Sequence, residues 1–175
     1  MLFRSPSPRA GSPVLSTVAQ SLWLALMLVG SNAVGAGVIV ELLPAMLSGL
    51  GSAATVFIAP FVSVLGLILF SMIAALGTVL TKWALVGRYQ QGRFPVWGAF
   101  YTRHWVVTHT ARLIPWWLVE GTVFQSVILR ALGAQVGSRV YLHRGVDLTS
   151  GGWDLLTLGD DVTINFELQF TLQAA

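Results

Sequence analysis

Two long runs without a charged residue dominate the first half of the chain. They cover residues 14–40 and 53–81, and both are rich in Leu, Val, Ile, Ala and Phe. About 20 apolar residues are enough for a helix to cross a bilayer, so each run is long enough for one span. Pro44 and the sequence SGLGS at 48–52 predict a short turn between the runs. The pattern therefore predicts a hairpin of two transmembrane helices within residues 14–81.

The first run is preceded by residues 1–13, whose Ser, Pro, Gly and Arg content predicts a flexible tail. Arg4 and Arg9 before an apolar run, with Ala33-Val34-Gly35 as a small-residue segment, also fit a secretory signal peptide. The apolar core of a signal peptide usually extends over only about 7–15 residues, and the apolar run of this chain is longer. A membrane span is therefore the preferred interpretation.

The positions of the basic residues predict the orientation of the hairpin. Arg4 and Arg9 precede the first run, basic residues resume at Lys82 after the second run, and the turn between the runs has no Lys or Arg. Cytoplasmic segments of membrane proteins carry an excess of these two residues. Both termini are therefore expected on the cytoplasmic side of a bacterial inner membrane.

Composition supports a membrane protein over other classes. Of 175 residues, 55% are hydrophobic and 10% are charged, whereas soluble domains carry about 25% charged residues. The net charge of +3 comes from sparse basic residues beside apolar runs, and a nucleic-acid-binding protein would group them on one soluble face. Nucleic acid is therefore not an expected partner. The absence of cysteine excludes disulfides and thiolate chemistry.

Aromatic and basic residues are concentrated after the second run. Five of the seven tryptophans lie between residues 83 and 117, and Trp97, Tyr101 and Trp105 recur at helical spacing. Trp and Tyr favour the headgroup depth of a bilayer, so residues 97–112 are predicted to form an amphipathic helix in the interface. The alternative is a core helix of a soluble domain. The residues assigned to the membrane interface are Lys82, Trp83, Arg88, Tyr89, Arg93, Trp97, Arg103, Trp105 and Arg112.

Residues 113–131 are apolar but contain Pro115, Glu120 and Gly121. A full span would place Glu120 near the middle of the bilayer, which is costly without a partner. The preferred prediction is an interfacial or re-entrant segment. Residues 82–131 as a whole are thus predicted to be an interfacial or re-entrant helical region.

Within residues 132–175 a six-residue period begins at Val136 and continues toward the C-terminus. Aliphatic residues stand at equivalent places at Val136, Leu142, Leu158 and Ile164. Such a period fits a β-helix, in which each hexapeptide forms one flat side and its aliphatic residue points inward. A plain pair of β-hairpins is the alternative.

The repeats in 132–175 supply only one or two coils, although such a core needs about three or more repeats for stability. We therefore expect further repeats, a partner or the membrane surface to cover the open edge.

Several sequence segments resemble a known family in order and spacing. They are KWALVGRY at 82–89, PVW at 95–97, Tyr101, RHW at 103–105, GT at 121–122, RALGA at 130–134, VG at 136–137 and DLLTLGD at 154–160. Over roughly residues 53–168 the chain resembles the membrane-associated C-terminal region of bacterial non-ribosomal peptide synthetases of the epsilon-poly-lysine synthetase type.

The resemblance implies transmembrane helices interleaved with left-handed β-helix domains, like those of hexapeptide-repeat acyltransferases. It also implies a role in linking amino-acyl or peptidyl groups at the inner face of the membrane. The sequence has no adenylation domain and no carrier serine motif, so we expect activity only within a larger assembly. The expected fold class is a membrane α-helical protein, with a two-span hairpin and interfacial helices, followed by the start of a left-handed β-helix.

His143 is the histidine of the repeat region and the candidate catalytic residue. Hexapeptide acyltransferases commonly use a histidine as general base, because its pKa lies near neutrality. The alternative is that His143 simply faces solvent. His104 and His109 are five residues apart, which does not match the i, i+4 spacing of a metal site on a helix, so neither a metal nor a cofactor is predicted.

Four carboxylates of the repeat region are a second candidate, either as an acidic patch for a cationic substrate or as separate turn caps. They are Asp147, Asp154, Asp160 and Asp161.

Two functions remain open on the sequence. The first is a membrane-embedded part of a peptide-synthetase-like or acyl-transfer assembly, whose partners are the bilayer and carrier-protein-bound amino-acyl or peptidyl substrates. The second is a non-catalytic anchor or scaffold for partner enzymes, and a homo- or hetero-oligomer is compatible with both. A transport component is disfavoured, because the two uncharged runs contain no ionisable residue.

Overall fold

The computed structural model describes residues 11–90, 92, 94–143 and 150–164. Within these ranges the chain is mostly helical and has little strand. The helices are α1 (Pro13–Gly37), α2 (Leu43–Leu85), α3 (Ala99–Ala111), α4 (Trp116–Val119) and α5 (Val123–Ala131), with a π-helical turn at Val38–Leu42 between α1 and α2. The strands are β1 (Gln135–Val136), β2 (Tyr141–Leu142), β3 (Thr157–Leu158) and β4 (Thr163–Ile164), and a 3₁₀ turn lies at Trp153–Leu155.

The helical segment Pro13–Leu85 is long and apolar enough to cross a membrane. It contains 73 residues, and its most apolar 18-residue window has a mean hydropathy of 2.6 with only 6% of its residues buried. A helix of a soluble protein normally buries one apolar stripe, whereas this segment exposes large apolar side chains along its length. The segment therefore contains a stretch that is long and apolar enough for a membrane span.

Fewer residues leave the helical conformation between the two apolar runs than the sequence predicted at Pro44 and residues 48–52. The chain is helical through Pro44, which follows the π-helical turn Val38–Leu42 and has no N–H to donate to that turn. Non-helical backbone occurs at Gly51, with φ 79° and ψ 164°. The Thr55 hydroxyl donates to the carbonyls of Met46 (3.1 Å) and Gly51 (2.8 Å) at this break.

The chain divides into two compact units, and α2 and α3 contribute residues to both. The first unit comprises residues 1–74 and 93–106, and the second comprises residues 75–92 and 107–175. In the first unit Ser12 caps α1, since its hydroxyl accepts a hydrogen bond from the backbone N–H of Leu15. The buried Ser16 hydroxyl donates to the Trp97 carbonyl (3.0 Å) and lies 2.8 Å from the Thr102 hydroxyl.

The predicted helix over 97–112 is present as α3, but it begins at Ala99. Trp97 precedes it with a positive φ of 65°, and its ring still meets the Tyr101 ring edge-on at 5.3 Å. The apolar stretch 113–131 forms α4 and α5, of 4 and 9 residues. Neither helix is long enough to cross a bilayer, which needs about 20 residues.

In the second unit the four strands form two parallel ladders. β1 pairs with β3, so that Val136 faces Leu158, and β2 pairs with β4, so that Leu142 faces Ile164. These are the four positions that the six-residue period makes equivalent. Two two-residue ladders are all the sheet in the part of the chain that the structure describes, and a left-handed β-helix is not detected there.

Candidate functional site

A buried ion pair lies at the C-terminal end of α2. The Lys82 ammonium is 2.8 Å from Oδ2 of Asp154 and 3.0 Å from its Oδ1. Lys82 is in the last turn of the helix, where a positive charge complements the helix dipole. Its side chain is fully buried and that of Asp154 is 12% exposed. A charge removed from water to this degree is tolerated when its partner is close and well oriented.

The 3₁₀ turn Trp153–Leu155 holds Asp154 in place. Gly152 starts this turn with a left-handed φ of 72°, and Trp153 is 1% exposed beside the Asp154 carboxylate. The Trp153 ring packs edge-on against the Tyr89 ring, with centroids 6.2 Å apart. The backbone N–H of Tyr89 donates to Oδ2 of Asp154 at 3.0 Å. The carboxylate therefore binds both the last turn of α2 and the segment that follows it.

Trp83 and Gly133 complete the surroundings of the ion pair. The indole N–H of Trp83 donates to the Ala131 carbonyl at 3.0 Å, and the Lys82 ammonium lies 3.5 Å from the centre of the Trp83 ring. Gly133 has a φ of 102°, and a Cβ at this position would lie 2.2 Å from Oδ1 of Asp154. A glycine is needed here, because a side chain would occupy the place of the carboxylate.

Burial and, to a lesser extent, the negative charge of Asp154 together raise the pKa of Tyr89 to about 12. The phenol therefore stays protonated near neutral pH and is unsuited to act as a base there. The ammonium of Lys82 is enclosed and already bonded to Asp154. The arrangement is thus suited to joining segments of chain.

The first strand, β1, follows Gly133 of this site along the chain. The guanidinium of Arg130, near the end of α5, donates through Nε to the Val136 carbonyl at 2.8 Å and through a second nitrogen to the Gly137 carbonyl. Gly137 faces Gly159, whose carbonyl carbon would lie 2.6 Å from a Cβ on Gly137. These contacts connect α5 to the strands and place Gly137 against the backbone of Gly159.

The described carboxylates of the predicted acidic patch take separate partners. Asp154 binds Lys82, and Asp160 accepts hydrogen bonds from the backbone N–H (2.6 Å) and hydroxyl (2.7 Å) of Ser138. These two bonds hold the pKa of Asp160 below its usual value. Asp161 forms an exposed ion pair with Arg139, which lowers the pKa of Asp161. Asp147 lies outside the described residues. The carboxylates that are described therefore act as turn caps and ion-pair partners.

His143, the candidate catalytic base, has an exposed side chain, and its backbone N–H donates to the Ile164 carbonyl at 2.9 Å. Among the described residues there is no group of three His, Cys, Asp or Glu side chains that could hold a metal ion. A catalytic role of His143 stays a prediction.

The residues assigned to the membrane interface fall into two groups. Lys82 and Tyr89 are buried around Asp154, so the Lys82 ammonium is directed to a carboxylate of its own chain. Arg93 lies outside the described residues. The others are exposed or half-buried, and their contact with lipid stays a prediction: Trp83, Arg88, Trp97, Arg103, Trp105 and Arg112.

Sequence reasoning missed the pairing of Lys82 with Asp154 and the role of Gly133. Lys82 is the first charged residue after a long uncharged run, and Asp154 lies in the insertion between the two pairs of repeats. The only signal available was that an isolated charge beside an apolar span needs an opposite charge nearby. That signal identifies neither the partner nor the glycine that makes room for it.

Comparison with known proteins yields one similar sequence and no structural neighbour. The chain is 32% identical over 77 residues to delta-poly-L-ornithine synthetase from Acinetobacter baumannii (strain AB307-0294). The match covers 44% of this chain and 6% of that protein, so this chain spans a small part of its relative's length. No protein-family model and no solved structure matches the chain.

Proposed function

We propose that this chain is the membrane-embedded part of a peptide-synthetase-like assembly, in which it holds the start of a coil domain at the cytoplasmic face of the bacterial inner membrane. The observation that carries the proposal is the position of the Lys82–Asp154 pair. Lys82 follows the last uncharged run, and Asp154 belongs to the insertion between the repeats. The pair therefore fastens the end of a membrane helix to the coil.

The type of assembly is supported by the partial match. A related segment occurs in a protein named as a poly-ornithine synthetase, and the match covers 44% of this chain. The assembly would join amino-acyl groups delivered on a carrier protein, and this chain would keep that chemistry beside the membrane. An alternative is a non-catalytic anchor for partner enzymes, which the closed geometry of the ion pair also fits.

The proposed membrane topology is a two-span hairpin with both ends in the cytoplasm. A straight helix from Pro13 to Leu85 would be about 110 Å long. The chain from Leu85 to Trp97 can reach back at most about 43 Å. The hydrogen bond from the Ser16 hydroxyl to the Trp97 carbonyl supports a reversal of chain direction between these points. The break at Gly51 supplies a place for the reversal.

The proposed coil is a left-handed β-helix, supported by the way the repeats align. Both ladders are parallel, and each joins repeat positions that the six-residue period makes equivalent. The close approach of Gly137 to Gly159 is what stacked corners of successive coils require, because a Cβ on Gly137 would collide with the Gly159 backbone. We propose that further strands, beyond the two ladders described, form the remaining sides of the coil.

Cysteine labelling tests the topology, because the chain has no cysteine of its own. We would place single cysteines at Ser48, beside the break, and at Leu155, which is exposed in the second unit. A membrane-impermeant maleimide should label Ser48→Cys in intact cells and Leu155→Cys only after permeabilisation. Equal labelling of both sites in intact cells, or release of the chain by alkaline carbonate, would contradict the proposal.

A second experiment tests whether the Lys82–Asp154 pair holds the coil against the end of α2. In inverted membrane vesicles, the Lys82→Met variant should stay in the membrane while its coil becomes sensitive to protease. The exposed pair offers a matched control, because Arg139→Ala also removes one cation of an ion pair within the same unit. A coil that is equally protected in both variants would show that the ion pair does not hold it.

A further inference from the structure

Helix α5 exposes large apolar side chains and buries two polar ones, unlike a helix on the surface of a soluble protein. Val123 and Phe124 are 76% and 69% exposed, and Val127 is exposed on the same side, at i+4 from Val123. The opposite side buries Gln125 and Ser126 with Leu129. A surface helix in water buries its apolar stripe and exposes its polar one. We name the exposed residues Val123, Phe124 and Val127 the α5 apolar face.

Local hydrogen bonds and packing explain why α5 buries polar side chains and exposes apolar ones. The side-chain oxygen of the buried Gln125 accepts the backbone N–H of Gly121 at 3.0 Å, so the inward polar side chain has a fixed partner. Gly121 has a φ of 73°, which turns the chain between α4 and α5. α4 packs against α5 and exposes another large aromatic side chain, Trp117. The apolar residues therefore point outward because the inward positions are already filled.

A hydrogen bond joins the end of α5 to the end of α2. The indole N–H of Trp83 donates to the carbonyl of Ala131, the last residue of α5. Trp83 follows the uncharged run directly, and a tryptophan at the end of a span lies at the depth of the lipid headgroups. In the membrane location proposed above, the end of α5 would therefore lie at headgroup depth as well. In the same unit, Leu76 and Leu80 expose their side chains in the two turns of α2 that precede Trp83.

We infer that the α5 apolar face inserts into the cytoplasmic leaflet beside α2, so that the coil domain is seated on the bilayer by a second, shallow contact. The occupant is lipid, because α5 is hydrogen-bonded to the end of a helix whose own surface is apolar and exposed. Exposed apolar side chains on a short helix in the plane of the interface are the usual structure of such a contact. The inference rests on the membrane location proposed above.

Fluorescence quenching by lipids tests the insertion in the full chain. We would introduce single cysteines at Phe124, at Phe57 in α2 and at Leu155 near the ion pair, all of which are exposed. Each would carry an environment-sensitive fluorophore in vesicles of phosphatidylethanolamine and phosphatidylglycerol. With nitroxide lipids labelled near the headgroup, Phe124→Cys should lose most of its fluorescence and Leu155→Cys should lose little. Val123→Cys should repeat the result for Phe124→Cys.

The three labelled positions distinguish an error in the membrane span from an error in the location of α5. If Phe57→Cys is not quenched by any nitroxide lipid, the membrane span itself is wrong. If Phe57→Cys is quenched while Phe124→Cys responds only to an aqueous quencher such as iodide, α5 faces water and the inference is overturned. If Phe124→Cys is shielded from both lipid and iodide, another protein surface covers α5, which also overturns it.

Discussion

Lys82 and Asp154 are 72 positions apart in the sequence, yet the ammonium and carboxylate groups lie within 2.8 Å of each other. The pair joins the end of a long apolar helix to a turn between strands. Since the Lys82 side chain is fully buried, the energy of the pair depends on both partners being present.

Removing one partner of the pair should therefore lower the free energy of unfolding much more than removing both. We expect Lys82→Met to lower the free energy of unfolding by about 3–5 kcal/mol, because Asp154 would keep a buried charge without its cation. The double variant Lys82→Met, Asp154→Leu should recover part of this loss. Unfolding in detergent, followed by tryptophan fluorescence, gives the coupling energy from a double-mutant cycle.

The exposed pair of Arg139 and Asp161 is the control for this cycle, since its side chains are 73% and 61% exposed. Arg139→Ala should leave the midpoint of unfolding unchanged within error, because solvent screens such a pair. Losses of equal size in Arg139→Ala and Lys82→Met would show that burial does not distinguish the two pairs.

The Tyr89 phenol should titrate late, at a pH of about 12 instead of 10. Because the folded pKa lies above the unfolded one, the unfolded chain loses its proton first as the pH rises. Tyr89 should therefore leave stability unchanged below pH 10 and reduce it as the pH rises from about 10 to about 12. The difference in ultraviolet absorbance between the parent chain and Tyr89→Phe isolates this phenol. A difference spectrum with a midpoint near 10 would contradict the prediction.

The sequence predicted the elements of this fold better than their contacts. Two uncharged runs are visible as a pattern, and both lie within the helical segment Pro13–Leu85. The six-residue period also identified equivalent positions such as Val136 and Leu158, which the structure pairs as neighbours. Both features depend on local periodicity, which a single sequence carries.

The site could not be predicted in the same way. The partner of Lys82 depends on where a distant insertion folds, and residue spacing does not contain that information. Lys82 and Tyr89 looked like interfacial residues because cationic and aromatic residues next to a span usually are. Their burial follows from Asp154 and Trp153, which approach from the other end of the chain.

Gly133 should not tolerate a side chain. In Gly133→Ala the new Cβ would lie 2.2 Å from Asp154 Oδ1 and 3.1 Å from the Lys82 ammonium, at a positive φ of 102°. We expect a loss of about 1–3 kcal/mol in the free energy of unfolding, from backbone strain and displacement of the carboxylate. Gly77→Ala is the matched control, because Gly77 lies within α2 and nothing is within 4 Å of its added Cβ. That variant should be neutral or slightly stabilising, and equal effects would count against the steric explanation.

Thr55 should stabilise the break at Gly51. Its hydroxyl is buried and bonds both the Gly51 carbonyl, four residues back, and the Met46 carbonyl, nine residues back, which a straight helix could not bring within reach. Thr55→Val keeps the shape and removes these bonds, so we expect a loss of about 1 kcal/mol in the free energy of unfolding in detergent. Ser63→Ala is the control, because the exposed Ser63 hydroxyl bonds the Ala59 carbonyl within one helical turn. A smaller loss for Thr55→Val than for Ser63→Ala would show that the second bond across the break contributes nothing.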